Sequence, residues 1–227
     1  MTSSHDGRRE AILAIDTATT QVVIATGSPG GVTDGISTWT AGYRHGETLL
    51  PSIGRFLGEQ NIRRSRLTGI VVGTGPGAFT GLRVGLATAK GMAHGLGIPL
   101  AGVSTGQALL AASGVERPVL LLPAGPSDRL VVRQGEAAIP LPAGKEPEVR
   151  DGETLVALDL DGRAPTDALQ RGDAARARLG QELIRLGAER LREAGPRELE
   201  TLVPDYVTLP RGVRAADGSV AWSRDHR

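Results

Sequence analysis

Apolar residues fall in short runs divided by turn residues over the first half of the chain, and in one long helical stripe near its end. Residues 11–15, AILAI, are apolar throughout, the pattern of a strand buried on both faces. The run stops at Asp16-Thr17-Ala18-Thr19-Thr20, and residues 21–26 resume a strand pattern, so a hairpin with a hydroxyl-rich turn is expected. A third strand, 32–40, follows the Pro29-Gly30-Gly31 turn. Residues 45–60 set Leu49, Leu50, Ile53, Phe56 and Leu57 on one helical stripe, with Pro51 in the first turn or kinking the helix. Ile70-Val71-Val72 and residues 98–103 read as further short strands, and Ser104-Thr105-Gly106 caps a helix over 107–113. Three strands, then helix and strand in alternation, predict an α/β lobe whose sheet mixes a hairpin with parallel crossovers.

Past 114–118 the pattern loosens. Residues 119–122 and 130–134 read as paired strands, 140–151 as a proline- and charge-rich connector, and 154–160 as a strand running into Asp159-Leu160-Asp161-Gly162. A long helix over 173–194 carries Leu179, Leu183, Leu186, Ala188 and Leu191 on one side, and 202–209 adds a last ordered segment. The expected organisation is an N-terminal α/β lobe over 10–113, a smaller α/β lobe over 114–210, and a flexible tail over 211–227.

The stretch 69–93 organises the first lobe. Its strand ends in Gly73-Thr74-Gly75-Pro76-Gly77 and then turns helical. Glycines let the main chain approach a partner, and the first N–H groups of a helix lack internal acceptors, so such a turn can accept an anion. It lacks the Lys and Ser/Thr pair of a P-loop and the dinucleotide spacing, which leaves a bare structural turn equally open. The Asp16 and Thr17 side chains likewise can bond their local backbone or face a phosphate and its metal. In the helix, Gly81, Gly85, Ala89 and Ala93 recur four apart with Gly91 and Gly95 beside them. Each interior glycine costs about 1 kcal/mol relative to alanine. Close packing must offset that cost, within the domain or against another chain.

Composition narrows the classes. The 227 residues are 40% hydrophobic, enough for a real core, but only 3% aromatic, so Leu, Val, Ile and Ala must fill it. A net charge of +1, with basic residues dispersed, gives no case for strong direct binding to nucleic acid. Without cysteine there is no disulfide, thiolate metal site or thiol nucleophile. The polar start and short first apolar run fit neither a signal peptide nor a membrane span, and a cytoplasmic protein is expected. His45 has no second ligand at metal spacing, so it reads as a helix-start or interface histidine, and no metal site is expected.

Three motifs in order resemble the TsaB (YeaZ) family: Ile12-Leu13-Ala14-Ile15-Asp16-Thr17-Ala18-Thr19, His45-x-x-x-Leu49-Leu50-Pro51, and Gly73-x-Gly75-Pro76-Gly77-x-Phe79-Thr80-Gly81-x-Arg83-x-Gly85. Gly102-Val103-Ser104-Thr105 extends the match, and Pro204-Asp205-Tyr206-Val207 resembles the family's closing segment. The resemblance implies a two-lobed fold of the actin, hexokinase and heat-shock-chaperone (ASKHA) type with a reduced second lobe. It also implies a non-catalytic partner of TsaD in bacterial synthesis of N6-threonylcarbamoyladenosine in tRNA, with the ATPase TsaE joining the assembly and tRNA touched only indirectly. TsaD holds its metal with a His-x-x-x-His; the matching positions here are Thr105 and Leu109, neither of which replaces an imidazole. No catalytic residue is therefore assigned.

His45, Leu49, Gly81, Gly85, Ala89 and Ala93 are expected to meet TsaD, or a second copy of this chain when TsaD is absent. Asp16, Thr17, Gly75 and Gly77 are the candidates to face a nucleotide or phosphate, and no cofactor is expected to be tightly held beyond ATP or ADP at the partner interface. Two departures bear on this. Residues 123–129 replace the Asp-Ala-Arg common after the family's first second-lobe strand. Ala18 stands where nucleotide-binding members of the superfamily have glycine, and its Cβ would crowd a phosphate, so weak or absent nucleotide hydrolysis is expected. The alternative reading is a nucleotide-dependent phosphotransferase built on Asp16 and the 73–77 loop. A haloacid-dehalogenase-type phosphatase using Asp159-Leu160-Asp161-Gly162 has too little chain after it to complete a catalytic sheet.

Overall fold

A computed structural model describes residues 10–40, 45–193 and 198–205. The first sheet has the order β3-β2-β1-β4-β5, built from β1 (Ala11–Asp16), β2 (Gln21–Gly27), β3 (Thr33–Thr40), β4 (Leu67–Gly73) and β5 (Leu100–Val103). The first three strands form an antiparallel meander and β1, β4 and β5 run parallel, with Ile15 opposite both Ile24 and Val72. The helices α1 (His45–Glu59) and α2 (Phe79–Leu96) make the crossovers to β4 and β5. After α3 (Thr105–Ala112), the second sheet has the order β8-β7-β6-β9, from β6 (Pro118–Ala124), β7 (Asp128–Val132), β8 (Ile139–Leu141) and β9 (Thr154–Ala157).

The second sheet repeats the first, an antiparallel meander with a parallel fourth strand beside its first. No repeat is visible in the sequence because packing on a common plan requires only similar apolar parity. The crossover from β8 to β9 carries no helix, where β3 to β4 carries α1, and this is the reduction of the second lobe.

Strand parity fixes the layers. Leu13, Ile15, Val22, Ile24, Ile70 and Val72 face α1 and α2 in one core, while Ile12, Ala14, Val23, Ala25 and Val71 face α3 and the long α4 (Thr166–Glu193). Leu120, Leu122, Leu130, Val132 and Val156 of the second sheet meet those helices from the other side. Thus α3 and α4 are sandwiched between two sheets, and alternate residues of every central strand are buried on both faces. Close approach of α4 depends on its own glycines: a Cβ at Gly172 would lie 1.8 Å from the Ala157 carbonyl oxygen, and one at Gly187 2.3 Å from Val71 Cγ2.

Helix α4 begins seven residues earlier than its apolar stripe implies, because its first two turns carry only Ala168 and Gly172 as buried positions. The short α5 (Glu198–Thr201) and Leu202 return to the first lobe, where Leu199 and Leu202 join the α1–α2 core. Asp205 N–H there donates to Thr74 O at 2.8 Å. Tyr206, Val207 and the expected tail over 211–227 lie outside the described residues.

Candidate functional site

The β1–β2 turn and the glycine loop close on each other. Asp16 is fully buried; Thr105 Oγ1 donates to its Oδ2 at 2.5 Å and the Ala18 N–H to its Oδ1 at 2.9 Å. Thr105 Oγ1 in turn accepts the Gly75 N–H at 3.1 Å, while Ser104 Oγ and the Gly106 N–H donate to Gly75 O. Thr17 Oγ1 donates to Gly81 O at 2.7 Å, and the Ala78 N–H to Ala18 O at 2.7 Å. A Cβ at Gly73 would fall 1.8 Å from Asp16 Oδ2, and one at Gly77 2.1 Å from Ala18 O. These glycines serve approach of one loop to another.

Asp16, Thr17 and Gly75, expected to face a nucleotide or phosphate, are bonded to internal partners here. The Gly75 and Ala78 N–H groups are spent on Thr105 and Ala18, and the two side chains have no exposed surface. A phosphate at Asp16, Thr17 or Gly75 would have to displace bonds already made. Thr105 ties Asp16 to the loop, and Leu109 is core. Among the described residues no group of three or more His, Asp or Glu side chains is placed to hold a metal.

Burial pushes the Asp16 carboxyl up to about 6, against the lowering pull of the Thr105 and Ala18 hydrogen bonds. Folded Asp16 thus holds its proton more tightly than in the unfolded chain, where the value is 3.8. Its stabilising contribution is full below 3.8 and is lost as pH rises through about 6. Two pH units correspond to about 3 kcal/mol. Because Glu153, held down to about 2 first by its hydrogen bond from Arg133, works in the opposite sense, the effect is read as a difference. Urea unfolding of the wild type and Asp16→Asn from pH 4 to 7 is expected to show the wild type losing ground to the variant as pH rises. A constant gap would contradict it.

Five of the six residues expected to meet a partner are turned inward. Leu49, Gly81, Gly85, Ala89 and Ala93 are buried within the chain: a Cβ at Gly81 would lie 2.1 Å from Thr17 O, one at Gly85 2.1 Å from Thr17 Oγ1, and Leu49, Ala89 and Ala93 belong to the α1–α2 core. The stripe is small because the β1–β2 turn lies on it. His45 begins α1, and its side chain is outside the described residues.

A second small-residue stripe lies on the outer side of the same two helices. Gly46, Leu50, Gly54 and Gly58 of α1, and Ala87, Gly91 and Gly95 of α2, are all exposed, Leu50 at 56%. A Cβ at any of these five glycines would meet nothing within 4 Å. Among the described residues nothing packs on these glycines to offset their helix cost. Sequence spacing could have shown part of this stripe, since Gly54 and Gly58 fall off the face of α1 that carries Leu49, Ile53 and Leu57.

Two sheets of like topology clasping shared helices define a two-lobed α/β protein with a reduced second lobe. YeaZ from Pseudomonas aeruginosa has this fold: the superposition gives a TM-score of 0.65 at 23% identity over 87% of this chain and 100% of that one. Residues 11–139 match the family described as TsaD: tRNA N6-adenosine threonylcarbamoyltransferase, and the chain belongs to that family. Within it the chain is similar to the tRNA threonylcarbamoyladenosine biosynthesis protein TsaB of Escherichia coli K12, 35% identical over 94 residues, 41% of this chain and 40% of that protein. An uncharacterized protein of Mycobacterium leprae is 42% identical over 101 residues, 40% of this chain and 26% of that protein. These alignments thus span less than half the length of either relative. Among the described residues no helix is long and apolar enough to cross a membrane.

Proposed function

We propose that this chain is a cytoplasmic, non-catalytic partner of a TsaD-type transferase in the synthesis of N6-threonylcarbamoyladenosine in tRNA, and that it docks through the outer faces of α1 and α2. The observation that carries the reading is the open glycine stripe of Gly46, Gly54, Gly58, Gly91 and Gly95. Open glycines on two neighbouring helices admit a partner close to their backbones, and Leu50 supplies an exposed apolar anchor on α1. The relation to TsaB and TsaD supports a TsaD-type protein as the partner. Support for a non-catalytic role comes from Thr105 and Leu109 at the positions of the TsaD metal ligands, both committed to internal contacts. The near-neutral charge favours contact with tRNA through the partner.

A nucleotide, ATP or ADP, belongs in this reading to the partner interface, with TsaE as the third component. The test mixes the purified chain with TsaD of the same organism and follows co-elution on size exclusion, with and without ATP. A complex is expected. A self-associated species of this chain that dissolves when TsaD is added would place both partners on one face; absence of any TsaD complex in either condition overturns the docking proposal.

A further inference from the structure

The near-zero net charge of the whole chain conceals one local concentration. From 60 to 115 the sequence holds no aspartate or glutamate, and Arg63, Arg64 and Arg66 stand together near the start of that stretch. They occupy the connection from α1 to β4, where a 3₁₀ turn over Arg64–Arg66 is closed by the Arg66 N–H donating to Arg63 O at 2.8 Å. One turn of backbone thus presents three guanidinium groups, with Arg63 and Arg64 exposed and Arg66 half-buried. Among the described residues, none of the three side chains makes an ion pair or a hydrogen bond. Glu10, which precedes the β1 residue paired with Leu67, lies at the same end of the sheet and pairs with none of them. Elsewhere arginines are engaged: Arg129 and Arg178 bond main-chain carbonyls, Arg133 holds Glu153, and Arg176 lies on Asp159, the carboxylate that also accepts the Thr20 N–H. Arg55 lines the groove between β3 and α1 together with Glu47 and Glu59, so acidic groups share its surroundings. Only at 63–66 do like charges repel with no carboxylate among the described residues to offset them.

The missing anion has a recognisable chemistry. Guanidinium groups bind phosphodiester oxygens in pairs of hydrogen bonds, and exposed Asn61 and Ser65 add further donors beside them. A membrane surface would need apolar groups next to the cations, whereas Ile62, the apolar residue of this turn, packs against the α1–α2 core. We propose that Arg63, Arg64 and Arg66 contact the backbone of RNA, and that this RNA is the tRNA held by the TsaD-type partner. The identity of the RNA rests on the function proposed above; the anion-binding patch does not. Because the patch follows α1 directly, past Gly58, it sits at the rim of the docking face and uses none of the docking residues. Three arginines are too few to hold RNA tightly by themselves, so contact made mainly through the partner is completed by a second, local one.

The test compares the wild type with a variant combining Arg63→Gln, Arg64→Gln and Arg66→Gln. Amide spectra of the full chain, labelled with nitrogen-15, are recorded with unmodified tRNA in about 50 mM salt, where weak phosphate contacts persist. Shifts over 61–66 are expected, and the variant is expected to lose them. In the complex with TsaD, raising the salt about fourfold should weaken tRNA binding about twentyfold more for the wild type than for the variant, because three phosphate contacts carry a salt slope of about 2 to 3. Calorimetric affinity for TsaD should be the same for both, which separates loss of the patch from loss of docking. Where no TsaD complex forms, the spectra of the chain alone decide: shifts over 61–66 uphold the RNA contact, and their absence overturns it. Polyglutamate and vesicles of anionic phospholipid, at matched charge, are the comparisons; equal or larger shifts with either assign the patch to an acidic protein or a membrane and overturn the proposal. Should the combined variant fold poorly, Arg64→Gln alone, an exposed position, must still lower the slope by about 0.7 to 0.9. An unchanged slope overturns the proposal.

Discussion

Gly81→Ala is expected to lower the stability of the folded chain by about 1 to 3 kcal/mol. The added Cβ would stand 2.1 Å from Thr17 O, a main-chain atom in a turn whose next carbonyl already holds the Ala78 N–H at 2.7 Å. That turn cannot withdraw without also breaking the Thr17 hydroxyl bond to Gly81 O. Overpacking of this kind costs about 1 to 3 kcal/mol and a lost buried hydrogen bond about 1 kcal/mol more, against a helix-propensity gain of about 1 kcal/mol. On the same helix Gly91→Ala meets no neighbour, so the propensity gain stands alone and the variant should be more stable by up to about 1 kcal/mol. Urea midpoints at constant slope measure both. Shifts of the same sign in the two variants would contradict the assignment of inner and outer stripes.

Gly91→Arg should fold as well as the wild type and yet lose its TsaD complex. The arginine projects into open space in the isolated chain and into the backbone of whatever lies on the stripe. Central interface positions carry about 2 kcal/mol or more, so affinity is expected to fall by at least about thirtyfold. Gly54→Arg on the neighbouring α1 should do the same, because its Cβ also opens into free space. Titration by calorimetry, with thermal unfolding as the check on folding, reads both. Undiminished affinity in both variants would move the docking face elsewhere.

The strands were legible because β1, β2 and β4 are apolar over short spans and need only local parity to be recognised. The helix α2 was legible as an element, but which of its two small-residue stripes is covered was not. Both recur four apart, and the choice is made by Thr17, 64 residues earlier in the chain, whose hydroxyl and carbonyl settle on Gly85 and Gly81. The role of Asp16 was hidden for the same reason: a carboxylate beside a glycine loop can face a ligand or the loop, and its Thr105 partner stands 89 residues away. The Asp159 contact with Thr20 spans 139 residues and leaves no local pattern at either end. The short β8 and α5 carry too few apolar residues to show periodicity, and only pairing with β7 and packing on α2 and β5 define them.

The most direct measurement is reconstitution: unmodified tRNA, the threonylcarbamoyl donor, ATP, TsaE and TsaD of the same organism, with this chain added or withheld. Threonylcarbamoyladenosine is expected to form repeatedly only when TsaD and this chain are both present, and not with this chain in place of TsaD. Product formed by this chain alone, or a TsaD rate indifferent to its presence, would contradict the account.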